Sequence, residues 1–343
     1  MPNENRKPLV QVKHLKKYFK AKKKGSMLHA VDDVSFEIYP GETLGLVGES
    51  GCGKSTVGNV LMRLHDATDG EFLFDGRSVF DAKREEHMQL CRDIQIVFQD
   101  PYSSINPKKT VRQILAAPYI IHKLASGEEL EQKIRWIAAE VGLSEDYLDR
   151  YPHELDGGKR QIVGIARALS LDPRFVVCDE PVSSLDVSIQ ATIINLLMDI
   201  QRKKNLAYLF VSHDLSVVRH ISNRIAVMYL GQIVEIAETD ELFANAQHPY
   251  TLALLSAVPR MDIEHKISRI LLKGDVPSPV DPPEDCCRFA ARCWMASEKC
   301  TREVPPMTDI GGGHCVACHY YQDARRRAES AEKSTEKPAA GKG

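Results

Sequence analysis

Residues 48–56, GESGCGKST, have the types and spacing to hold a phosphate chain. Gly48, Gly51 and Gly53 let the backbone curl and turn its N–H groups inward, and Glu49, Ser50 and Cys52 complete the same loop. The spacing G-x-x-x-x-G-K-[S/T] carries Lys54 to the β- and γ-phosphates and the Ser55 hydroxyl to Mg²⁺, with Thr56 a further donor. A second element is VVCDEP, residues 176–181, an apolar run that ends in two acids. Asp179 stands where it would bind Mg²⁺, directly or through water. Glu180 stands where it would orient and polarise an attacking water. Alone, the two acids could be an N-cap pair. Downstream of a phosphate loop, the catalytic reading is the stronger one.

A third stretch is less simple. In YPHELDGGKRQIVGIARAL, residues 151–169, Gly157 and Gly158 open a helical run whose first amides would suit an anion, yet Asp156 stands directly before them. The carboxylate is either a helix N-cap offset by Lys159, or a charge that repels the anion.

The nine cysteines are uneven: Cys52, Cys91 and Cys178 are scattered, while Cys286, Cys287, Cys293, Cys300, Cys315 and Cys318 crowd the last quarter. In a reducing compartment such crowding suggests a metal before disulfides. His314 and His319 beside them read as surface or loop histidines.

The elements that must position these groups are visible as apolar patterns. TLGLVG before the glycines, RFVVCD and LAYLFV read as strands buried on both faces. VSFEIY alternates, and RIAVMYLGQIVEIA reads as a hairpin turning near Gly231. IQATIINLLMDIQRKKN has helical spacing. Strand–helix alternation implies a parallel α/β sheet. VRQILAAPYIIHKL and EQKIRWIAAEVGL are amphipathic helices that interrupt it, an insert at about 103–160. KAKKKG, residues 20–25, reads as a solvated loop between strands. The polar tail, residues 322–343, reads as disordered.

The chain has 343 residues, 45 Lys plus Arg, 47 Asp plus Glu and a formal charge of -2, which argues against general nucleic-acid binding. No apolar run reaches the roughly 20 residues needed to span a bilayer, and MPNENRKPLV lacks the apolar core of a secretory signal. The expected location is the cytosolic side.

The order of the motifs resembles the ATP-binding-cassette ATPases: GESGCGKST, FQDP with Gln99, LDGGK, VVCDEP, SSLD with Asp186, and VSHD with His213. The resemblance spans about residues 8–260. It implies a RecA-like P-loop NTPase fold of the α/β class with a helical subdomain inserted before LDGGK. By the same resemblance, Gln99 would contact Mg²⁺ and the water, and His213 would hold the γ-phosphate. Asp186 would face a second ATPase subunit. An aromatic residue would stack on adenine, with Phe19 the best aligned and Tyr18 beside it; either could instead be a packing residue. LDGGK, Leu155 to Lys159, stands where the family usually has Leu-Ser-Gly-Gly-Gln, a signature that caps ATP held by the opposite subunit. Asp156 for serine and Lys159 for glutamine would leave that trans site degenerate.

HPYTLALLSAVP and residues 271–300 further resemble the carboxy-terminal region of the oligopeptide/dipeptide importer ATPases. That implies a small Cys-rich module at about 261–321. IQIVFQDPYSSINPKKTV and VMYLGQIVE look more like the F-type than the D-type of the paired subunits. The implied assembly holds this ATPase, a D-type ATPase, two transmembrane permease subunits and, indirectly, a substrate-binding protein. Related systems carry nickel, glutathione or oligosaccharides. Some members bind a 4Fe–4S cluster, here implied at Cys287, Cys293, Cys300 and Cys318; zinc on the same four thiols, or no metal, are the alternatives. A cassette ATPase acting on DNA or ribosomes would carry a basic excess or a long heptad-bearing insert, and neither is present. A non-hydrolysing regulatory subunit is at odds with the intact Glu180 and His213.

Overall fold

The computed structural model describes residues 6–258 and 270–324. From its start the chain lays down two long strands, β1 (Val10–Lys20) and β2 (Met27–Ile38), joined by the exposed lysine-rich loop. A short buried strand, β3 (Thr43–Val47), then feeds helix α1 (Lys54–Leu61) through the glycine loop. β4 (Asp69–Phe74) and β5 (Arg77–Ser78) return to the first pair, and α2 (Arg84–Asp93) leads to β6 (Ile94–Val97). The helices α3 (Pro101–Ser104), α4 (Val111–Ile121), α5 (Gly127–Glu140) and α6 (Gly157–Leu169) follow before β7 (Phe175–Asp179). Next come α7 (Val187–Lys204), β8 (Ala207–Val211), α8 (Leu215–Ile221) and the hairpin of β9 (Arg224–Tyr229) and β10 (Gln232–Glu238). Helices α9 (Thr239–Asn245) and α10 (Pro249–Ser256) close this part, and β11 (Thr308–Asp309) and β12 (Cys315–Val316) lie in the cysteine-rich segment.

The strands form two sheets. One is antiparallel, in the order β2-β1-β4-β5. The other runs β11-β12-β10-β9-β3-β8-β7-β6, parallel from β9 to β6. The parallel strands are largely apolar because both of their faces are covered. Phe175 and Val177 of β7, with Leu209 and Val211 of β8, point into the core shared with the antiparallel sheet. Val176, Cys178, Tyr208 and Phe210 point the other way, into the core shared with the helices. Side chains that alternate between two cores pin the register, since a slip of one residue would exchange them.

β12 pairs antiparallel with β10, so the cysteine-rich segment extends the main sheet. His314 keeps to the loop just before β12, as expected, but it does not lie at the surface. It is 2% exposed, and its Nε2 lies 2.8 Å from Oε1 of Glu235, which is fully buried. Glu235 also accepts from the backbone N–H of Gln247 at 2.6 Å and of His248 at 3.1 Å. A buried carboxylate needs such partners, and His314 is one of them. His319 keeps to a loop, with Nε2 3.2 Å from the Glu303 carbonyl. Of the tail, Ala324 is fully buried, while residues 325–343 and the boundary near 260 lie outside the described residues.

Candidate nucleotide site

The parallel strands end at one edge, and the expected groups follow directly. The glycine loop links β3 to α1, whose first residues are Lys54, Ser55 and Thr56. The turn depends on Gly53. Its φ is 108°, and a Cβ there would lie 2.0 Å from the Ala30 carbonyl oxygen. Lys54 is buried and folds back along the loop, donating to the carbonyls of Gly48 at 2.9 Å and Glu49 at 3.0 Å. The Glu49 backbone N–H donates to the Tyr250 hydroxyl at 2.9 Å, a partner that no local sequence signal indicates.

Asp179 is the last residue of β7, and the Ser55 hydroxyl donates to its Oδ1 at 2.9 Å. Burial pushes the Asp179 carboxyl up, the Ser55 hydrogen bond opposes that, and the Glu180 charge adds to it. A cation at this point would relieve the buried acid. Ser55 and Asp179 are the oxygen donors that a hard ion such as Mg²⁺ accepts, so the residues fit it.

Glu180 takes a positive φ of 45°, uncommon for a residue with a side chain, while its N–H continues the ladder to the Val211 carbonyl at 2.9 Å. Gln99, just beyond β6, donates through Nε2 to Glu180 Oε2 at 2.9 Å. His213, just beyond β8, places Nδ1 3.2 Å from Glu180 Oε1. Thus three separated motifs meet on one carboxylate.

Phe19 and Tyr18 separate cleanly. Tyr18 stacks on His29 with ring centroids 4.0 Å apart, and its hydroxyl donates to Asp32. Phe19 is partly exposed, edge-on to His65, with the Lys17 ammonium 4.8 Å from its ring centroid.

The LDGGK stretch opens α6. Asp156 is its N-cap, accepting from the Lys159 backbone N–H at 2.8 Å and pairing with the Lys159 ammonium. The Lys159 side chain and backbone hold the Asp156 carboxyl below the usual carboxylate range. A Cβ on Gly158 would meet Ile189 of α7 at 2.8 Å, so this glycine permits close helix packing. Asp186 precedes α7 and is exposed.

Cys287, Cys293, Cys300 and Cys318 converge on one small cavity of about 20 Å³, lined also by Phe289 and Tyr320. Backbone N–H groups point at the sulfurs: Met295 to Cys293 at 3.3 Å and Tyr320 to Cys318 at 3.4 Å. Burial pushes the Cys287, Cys293 and Cys318 thiols up to about 11. Among the described residues, no three His, Cys, Asp or Glu side chains are arranged around a single metal ion. Cys286 and Cys315 do not line the cavity.

Comparison with known proteins decides the family. Residues 31–183 match the ABC transporter family, and residues 234–300 match the oligopeptide/dipeptide transporter C-terminal region. The chain is 47% identical over 329 residues to the oligopeptide transport ATP-binding protein AppF of Bacillus subtilis, covering 94% of this chain and 100% of that protein. The chain belongs to the oligopeptide/dipeptide ABC transporter ATP-binding proteins. This cassette ATPase is also 46% identical over 317 residues to the dipeptide transport ATP-binding protein DppF of Haemophilus influenzae, covering 91% and 97% of the two chains. In fold it resembles the dimeric post-hydrolysis state of the ATP-binding cassette MJ0796 bound to ADP and Pi, with a TM-score of 0.61, 29% identity, and 67% and 98% of the two chains covered. Among the described residues, no helix of the cassette ATPase is long and apolar enough to cross a membrane.

Proposed function

We propose that this cassette ATPase powers uptake of dipeptides or oligopeptides as the F-type member of a heterodimer. Its partner is a D-type ATPase. The pair sits on two permease subunits at the cytoplasmic face of the membrane, which a substrate-binding protein supplies from outside. The convergence of Gln99 and His213 on Glu180, one residue beyond Asp179, carries the reading. The loop Gly48–Gly53 cradles the triphosphate, Lys54 leaves the loop carbonyls for the β- and γ-phosphates, and Ser55 and Asp179 hold Mg²⁺. Mg²⁺ held there would neutralise charge on the transferred phosphoryl group. Glu180, oriented by its two partners, accepts the proton of the attacking water, and His213 holds the γ-phosphate. Phe19 rather than Tyr18 serves adenine, because Tyr18 is already committed to Asp32 and His29.

One site of the pair is weak. Asp156 remains ionised at neutral pH and, with Leu155 to Lys159 capping the partner's ATP and Asp186 at the same interface, faces a γ-phosphate. Lys159 offsets this charge without removing it. The competent site then joins this chain's phosphate loop to the partner's signature. The four converging thiols hold a 4Fe–4S cluster that ties down the loop-rich segment. Burial keeps Cys287, Cys293 and Cys318 from ionising without a bound cation, and the backbone N–H groups aimed at the sulfurs of Cys293 and Cys318 suit cluster ligands.

The test is ATPase activity and peptide uptake in the reconstituted transporter. Glu180→Gln abolishes both, while the same change in the partner's equivalent glutamate has little effect. Equal loss from either change would overturn the asymmetric reading, and full uptake with Glu180→Gln would overturn the catalytic one.

A further inference from the structure

Two arginines of the cysteine-rich segment reach the nucleotide side of the molecule. Arg292, at the end of the single turn Ala290–Arg292, donates from Nη1 to Glu49 Oε2 at 2.6 Å and from Nη2 to Glu49 Oε1 at 3.1 Å. Its side chain is 7% exposed and lies 5.9 Å from the centroid of the Tyr229 ring. Glu49 is thereby held at three points: its carboxylate by Arg292, its N–H by the Tyr250 hydroxyl, and its carbonyl by Lys54. Arg288, four residues earlier, donates to the Leu230 carbonyl at 2.7 Å and pairs with Asp32. The next residue, Gly231, donates its N–H to the Cys52 carbonyl at 2.9 Å. One short turn therefore holds the phosphate loop near both of its ends.

A carboxylate on the second residue of a phosphate loop is electrostatically unfavourable, because it adds negative charge beside a triphosphate. The fork of Arg292 matches it bidentately, cancels its charge and fixes the loop around it. We infer that Arg292 is a positioning residue for Mg-ATP, acting through Glu49 to hold the phosphate loop in its binding shape and to neutralise the acid that the loop carries. The inference rests on the reading of residues 48–56 as the Mg-ATP site. It gives the cysteine-rich segment a direct hold on nucleotide affinity.

The experiment is a double-mutant cycle on the full chain, read as the Kd of a fluorescent ATP analogue with Mg²⁺ and as KM against kcat in the assembled ATPase pair. Arg292→Gln is expected to weaken binding about tenfold, the scale of coupling through a shared ion pair, raising KM with kcat unchanged at saturation. Glu49→Gln should weaken it less. The double variant should recover most of the loss, since no unpaired carboxylate then remains. A role confined to folding would not give that rescue. Arg292→Lys, which keeps the charge without the fork, should fall between wild type and Arg292→Gln, and it serves in the cycle if Arg292→Gln does not fold. Wild-type Kd in the Arg292 variants, or a double variant as weak as the product of the single effects, would overturn the inference. Lys54→Ala separates the two layers. If it abolishes binding while the Arg292 variants bind normally, only this inference falls; if it too binds normally, the nucleotide reading falls with it.

Discussion

Asp156→Ser tests the proposed weakness of the trans site, because serine separates two effects that alanine would mix. In the structure Asp156 accepts from the Lys159 backbone N–H at 2.8 Å, and a serine hydroxyl can take the same bond. Serine and aspartate are comparable N-caps, whereas alanine costs about 1 kcal/mol. The ion pair with Lys159 is half-exposed on the Asp156 side and contributes at most about 1 kcal/mol. Stability should therefore change little. The electrostatic effect across the interface is larger. A carboxylate about 4 Å from a phosphate charge costs about 4 kcal/mol at an effective dielectric near 20, and Lys159 at similar range cancels part of that. Removing Asp156 leaves Lys159 unpaired and attractive, so the gain should reach at least about 1.4 kcal/mol, a tenfold tighter ATP-driven association. Sedimentation of the two ATPase subunits with Mg-ATP, beside a thermal melt of this chain, reads both quantities. Unchanged association at unchanged Tm would refute the claim that Asp156 weakens the site.

Other predictions address separate parts of the molecule. Gly53→Ala should abolish Mg-ATP binding measured by nucleotide fluorescence, since its Cβ would sit 2.0 Å from the Ala30 carbonyl at a φ of 108°. His314→Leu strands the buried Glu235 carboxylate and should destabilise the chain by about 3–5 kcal/mol in chemical denaturation. Burial alone would lower the His314 pKa, but its hydrogen bond to Glu235 and the charges of Glu235 and Glu241 outweigh that and raise it. The contribution of this pair is therefore complete below the unfolded value of about 6.5 and fades as pH rises through the raised folded value, which a series of Tm measurements from acid to alkaline pH will show. Anaerobically purified protein should contain iron and a broad visible absorbance, both lost in Cys293→Ser; colourless protein with stoichiometric zinc would contradict the cluster.

How much was legible in the sequence follows from the range of each interaction. The phosphate loop has fixed spacing because its atoms must meet one small ligand, so Gly48 to Thr56 can be read directly. β3, β7 and β8 are visible because both faces are covered and almost all of their residues are apolar, Asp179 at the end of β7 being the functional exception. The antiparallel sheet is harder: β1, VQVKHLKKYFK, carries five cationic or histidine residues and resembles a polar linker until β2 and β4 pair with it. The convergence of Gln99, Glu180 and His213 is implied by motif order, but their contact depends on three parallel strands ending at one edge. The hold of Arg292 on Glu49 spans 243 residues and leaves no local trace. The burial of His314 leaves no local trace for the same reason. HCVACH looks like loop sequence, and only the pairing of β12 with β10 buries its histidine against Glu235.

The most direct test of the account is the fate of bound nucleotide in a single turnover by the assembled ATPase pair. With wild-type protein, Mg-ATP should be retained and converted to ADP. With Glu180→Gln, it should be retained equally well and remain ATP, with hydrolysis slowed at least about a hundredfold, the range expected for loss of a positioned general base. Hydrolysis at the wild-type rate with Glu180→Gln, or no retention of Mg-ATP by the wild-type pair, would contradict it.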